Sequence, residues 1–95
     1  MERDNNMSGK VSYNSHDYKP VEIVPAIASF DTDGHIKPLY VRIDGCSLRV
    51  VSSRIRCIYA NTIEFQCQVQ DLQYVKPLLL VYYQAEGAWA IVLNA

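Results

Sequence analysis

Across residues 63–70 the chain alternates without a break. Ile63, Phe65, Cys67 and Val69 are apolar, and Glu64, Gln66, Gln68 and Gln70 between them are polar. Successive side chains of a β-strand point to opposite faces, so a period of two puts the first set on a dry face and the second on a wet one. A helix would scatter both sets around its circumference. Burial of one face only belongs to antiparallel sheets, so the rest of the chain has to supply neighbouring strands that cover Phe65 and its companions.

Those neighbours are legible on both sides. Residues 22–30 read as a first strand, which Pro25 confines to an edge or a bulge. Asp31-Thr32-Asp33-Gly34 is turn chemistry, with Gly34 free to take a positive φ. Residues 37–44 form a second strand, with Leu39, Val41 and Ile43 on one face and Tyr40 and Arg42 on the other. Asp44-Gly45 is another hairpin signal. A long third strand covers about residues 48–59, where Ser52-Ser53 marks a bulge or bend at which the inward face changes phase. Beyond the alternating strand, Asp71 leads through Tyr74 to Lys76-Pro77 and the run 78–83, apolar on both faces. Trp89, Ile91 and Leu93 then form the inward side of a last strand. No stripe at helical spacing stands out. The expectation is an all-β fold of about six short antiparallel strands in a small meander, rolled into a barrel or folded as a compact sandwich. Barrel closure removes exposed edges.

Ninety-five residues leave room for one domain. Residues 1–20 are too polar to bury a face and are expected to form a flexible polar tail, with residues 21–95 as the single β domain. No apolar run approaches the ~20 residues that cross a bilayer, and the first six residues lack a signal peptide's apolar stretch. Cys46, Cys57 and Cys67 contain no C-x-x-C pair, and an odd count without framework spacing suits free thiols. The expected setting is the cytoplasm, with no membrane association.

Catalytic motifs are lacking. His16 and His35 have no nucleophile beside them in the sequence, and no phosphate-binding or nucleophile-elbow pattern occurs. Cys57 and Cys67 alternate inward with aliphatic residues and are expected to be inert core thiols. Cys46, beside the Asp44-Gly45 turn, is the one to test for reactivity. Asp31-Thr32-Asp33-Gly34-His35 starts like an acidic calcium loop but lacks the later ligands, so it reads as a turn. No catalytic residue, metal or cofactor is expected.

Charge is unevenly distributed. The formal net charge is −1, which excludes a chain that coats nucleic acid through bulk charge. Residues 36–60, however, carry Lys37, Arg42, Arg49, Arg54 and Arg56 against Asp44 alone. In strand phase Arg54 and Arg56 share a face, and Tyr40 and Arg42 share one on the preceding strand. If those strands pair, an arginine patch lies beside an aromatic ring. Single-stranded nucleic-acid binders use that composition, with guanidinium on phosphate and rings on bases. A solvated sheet face or a protein contact is the first reading of the same composition, and Glu64 is placed to pair with Arg54 or Arg56 across the ladder. Tyr40, Arg42, Arg54 and Arg56 are the candidate binding residues. The run 78–83 poses a second question. Its outward set, Leu79, Val81 and Tyr83, is either covered within the fold or meets a protein partner, including a second copy in a homodimer.

The stretch from Gly34 to Gly45, followed by Ser47-Leu48-Arg49-Val50 and closed by Gly87-Ala88-Trp89, resembles a group of short all-β proteins of Firmicutes bacteria. Their pattern is D-G-x-I-x-P-L-x-x-R with a tryptophan in the last strand. More loosely, the chain is similar to small SH3-like β-barrels encoded beside Y-family DNA polymerases. The likeness spans roughly residues 23–93 and rests on turn and core positions. It implies an SH3-like barrel and, through the polymerase neighbours, an accessory role in DNA damage tolerance. It brings no active site. The functional expectation is a non-catalytic protein-interaction or accessory module, with nucleic-acid binding through the Tyr/Arg face as the alternative.

Overall fold

The structure, a computed structural model, describes residues 20–93. The expected tail lies outside them except for Pro20. Among the described residues there are seven strands and no helix: β1 (Val21–Val24), β2 (Ala26–Phe30), β3 (Ile36–Ile43), β4 (Cys46–Tyr59), β5 (Thr62–Asp71), β6 (Tyr74–Tyr83) and β7 (Ala88–Val92). All pairings are antiparallel, and the strands form one sheet in the order β1-β7-β6-β5-β4-β3-β2. The fold is all-β, as the alternation requires, and it is a single curled sheet forming a half-barrel.

The first expected strand is two strands because of Pro25. That residue has no N–H to donate to a ladder, and the chain changes neighbours there. β1 pairs with β7 at one end of the order, and β2 pairs with β3 at the other. A single residue therefore joins the two ends of the sheet, which bends the sheet round on itself. The Arg42 amide donates to the Pro25 carbonyl at 2.9 Å and ties the junction to β3.

Two-residue turns set most of the registers. Asp44 and Gly45 both have positive φ, 52° and 80°, the type I′ geometry whose twist matches that of the flanking strands. This fixes Ile43 opposite Cys46 and Tyr40 opposite Arg49. The other two tight turns place Ala60 (φ 54°) and Leu72 (φ 59°) in the left-handed region, where a side chain is strained. The second of these, Leu72-Gln73, replaces the longer connection expected after Asp71, so β6 begins at Tyr74 and pairs with the whole of β5. The Gln70 side-chain amide donates to the Leu72 carbonyl at 2.6 Å and braces this turn.

The core lies on the inner face. Phe65, Cys67, Val69 and Ile63 from β5 pack with Leu80 of β6, Trp89 and Ile91 of β7, Val41 of β3 and Leu48 and Val50 of β4. Phe65 and Leu80 are fully buried and face each other in register. An aromatic run continues from Phe65 to Trp89 (centroids 5.6 Å apart) and on to Tyr82 (4.6 Å).

Three bulges correct the expected inward positions. The β2–β3 register shifts between Ile27 and Ala28, leaving Leu39 without a partner. Pro38 is thereby turned into the interior, and Leu39 is half-buried. In β4 the first shift falls at Val51, one residue before Ser52-Ser53, and moves the inward phase from Leu48 and Val50 to Ser53 and Ile55. A second, at Arg56, moves it again to Ile58. Cys57 therefore points outward opposite Glu64 and is exposed, contrary to the expected core thiol. Cys67 is in the core as expected, and Cys46 is exposed at its turn.

Candidate functional site: the outward Tyr/Arg face

With Val41 and Val50 inward, Tyr40, Arg42, Arg49 and Arg54 all project from the opposite, outward side of β3 and β4. Tyr40 is exposed and sits directly across from Arg49, while Arg42 faces Ser47. Such opposed positions bring Cβ atoms to ~5 Å. Arg49 is the residue that the candidate set omits, although the Asp44-Gly45 turn already implies its place opposite Tyr40. Arg54 faces Gln66 on β5. Arg56, the extra residue of the second bulge, donates from Nη1 to Glu64 Oε1 at 3.2 Å on the same side.

The arginines form two groups. β3 pairs with β4 only from Cys46 to Arg49, and beyond that point the two strands separate. Arg54 lies five residues further along β4 than Arg49, or roughly 15 Å at ~3.3 Å per residue. Tyr40, Arg42 and Arg49 thus make one cluster, and Arg54 and Arg56 make another. Among the described residues the ion pairs are Arg56–Glu64, Lys76–Asp71 and His35–Asp31. Arg42, Arg49 and Arg54 have no carboxylate partner there.

Leu79, Val81 and Tyr83 alternate outward as well. Leu79 stands opposite Gln66, which stands opposite Arg54, so both candidate surfaces occupy rows of the same face. Leu79 and Val81 are only 7% and 4% exposed, and Tyr83 is half-buried. The accessible part of the face is the arginine side.

The Asp31–His35 turn brings one ligand atom each from Asp31, Asp33 and His35 within 4.8 Å of one another, all exposed. Asp31 is occupied with the turn itself. Its Oδ1 accepts from the amides of Asp33 (3.0 Å) and His35 (2.8 Å), and its Oδ2 lies 3.1 Å from His35 Nδ1. The His35 amide bond, with help from the His35 ring and the Asp33 amide, holds the Asp31 carboxyl below its ordinary 3.8. Burial pushes the Cys67 thiol up to about 11, which keeps it protonated and unreactive.

Comparison of the chain with protein-family models, with curated proteins and with solved structures finds no match. The site has to be read from its own residues.

Proposed function

We propose that this chain is a small, non-catalytic interaction module that engages a protein partner through its outward Tyr/Arg face, as an adaptor or accessory subunit. The observation that carries the reading is that Arg42, Arg49 and Arg54 project from one sheet face with no carboxylate partner among the described residues, while Arg56 is paired with Glu64. An unpaired guanidinium offers a planar fork of donors suited to a carboxylate on another molecule. The half-barrel supports an SH3-like reading of the fold. The free thiols of Cys46 and Cys57 support a cytoplasmic setting.

The direct opposition of Tyr40 and Arg49 favours one second reading, binding of single-stranded nucleic acid with the ring on a base and the guanidinium on phosphate. One pair of experiments separates the two. Affinity capture from cell lysate is compared for the wild type and the Arg49→Ala/Arg54→Ala double variant, alongside fluorescence anisotropy with labelled oligonucleotides at two salt concentrations. A protein lost specifically from the variant supports the module reading. Oligonucleotide binding that weakens steeply with salt, and weakens again in the variant, replaces it with the nucleic-acid reading. Identical captures and no oligonucleotide binding overturn both.

A further inference from the structure

β4 has an open edge. From Ser52 to Tyr59 it pairs with β5 on one side, while on the other side no described residue pairs with it, because β3 ends its pairing at Arg49. β3 itself turns away to β2 through Ile36 and Pro38, so the sheet splays into a wedge between β3 and the second half of β4.

The two faces of that wedge differ. On the inner face Ile55 and Ile58 stand in register with Phe65 and Ile63 of the core, yet they are 53% and 62% exposed. Phe30, at the end of β2, reaches across the inner face to Tyr82, the register neighbour of Ile63, and is itself more than half exposed. These are core-facing side chains left more than half exposed. On the outer face the wedge is flanked by Lys37 of β3 and by Arg49 and Arg54 of β4, none of them ion-paired among the described residues.

We infer that the open edge of β4 receives an extended segment of a partner protein by strand addition, a segment in which apolar and acidic residues alternate. The inference rests on the protein-interaction reading and names its partner class. Strand addition satisfies the orphaned amide and carbonyl groups of the edge, and the two-residue period of the added strand sends alternate side chains to opposite faces. One set covers Ile55 and Ile58, and the other meets Arg49, Arg54 and Lys37. A second copy of β4 is the poorer match, because that strand brings further arginines and no carboxylate to the outer face. Charged side chains on an edge are a common guard against self-association of this kind.

The test uses the full chain and a labelled synthetic peptide of about eight residues in which Glu alternates with Val or Ile. Three variant peptides accompany it: Lys in place of Glu, the same composition without alternation, and alternate backbone amides N-methylated. The alternating acidic peptide is expected to bind, and each change to weaken it by about tenfold or more. Arg54→Glu, an exposed position that should leave the fold intact, is expected to lose the Glu peptide and gain the Lys peptide. Equal binding of the N-methylated peptide overturns strand addition, and equal binding of the Lys peptide overturns the acidic partner. Concentration-dependent dimerisation abolished by Ile55→Lys assigns the edge to a second copy and also overturns the inference. If no peptide binds while lysate capture still loses a protein in the Arg49→Ala/Arg54→Ala variant, strand addition fails and the interaction module stands. If capture is unchanged too, both fail.

Discussion

Phe30 and Tyr82 meet edge to face, with ring centroids 5.9 Å apart and planes at 61°. Phe30 is the last residue of β2 and Tyr82 belongs to β6, so the contact crosses the inner face between strands that are not neighbours in the sheet. Phe30→Ala is expected to cost about 1 kcal/mol, the aromatic pair together with the part of the ring that is covered. Thermal unfolding should show the loss as a fall of a few degrees in Tm. An unchanged midpoint would mean that the contact does not hold β2 in place.

The three thiols should divide sharply. Cys46 and Cys57 are exposed and Cys67 is buried with its thiol near 11, so a thiol-reactive dye at neutral pH should label two groups in the native state. The third should appear only with denaturant. Fast labelling of Cys67 in the native protein would contradict its place in the core.

Two turns carry avoidable strain. Leu72 is 88% exposed at a φ of 59°, and Ala60 holds 54° in the corresponding turn. Replacing either with glycine removes the left-handed penalty and adds some unfolded-state entropy, for an expected net gain of about 0.5–1 kcal/mol. Chemical denaturation should move to a higher midpoint with unchanged slope. A lower midpoint for Leu72→Gly would show that the leucine makes stabilising contacts outweighing its backbone strain.

Acid should reach the Asp31 turn. The Asp31 carboxyl titrates lower in the folded chain than its ordinary 3.8, so its contribution to stability is complete above that value. It is lost as pH falls through the lower folded value. Carboxyl NMR should place the Asp31 midpoint below 3.8, and Asp31→Asn, which keeps a side-chain acceptor for the His35 amide, should flatten this part of the pH–stability curve. A midpoint at or above 3.8 would count against the hydrogen bonds that define the turn.

Much of this architecture can be read from local chemistry. The alternation around Phe65 sets one strand and its inner face, and Asp44-Gly45 sets the β3–β4 register, including the place of Arg49 opposite Tyr40. Ser52-Ser53 announces the first β4 bulge to within one residue, whereas the one at Arg56 is harder to see. Val51 and Arg56 become extra residues because neighbouring strands have to curl, and that need is a property of the whole sheet. Their effect on Cys57 and on the inward exposure of Ile58 is accordingly invisible in the pattern of β4 alone. Pro25 announces an irregular strand, but that its two halves serve opposite ends of the sheet depends on pairing with β3 and β7. The separation of Arg54 from Tyr40 has the same origin, because composition groups the arginines while strand divergence parts them.

The pairing of β1 with β7 also sets an order of events during synthesis. Val21–Val24 leaves the ribosome before any other described strand, yet its ladder partner, Ala88–Val92, is made last. The hairpins from β3 to β6 can form as they emerge, whereas β1 waits for nearly the whole domain. Long-range pairing of this kind slows folding, toward the millisecond-to-second range. Over that interval the nascent chain holds an unfinished sheet with two unjoined ends, and the arrival of β7 completes it.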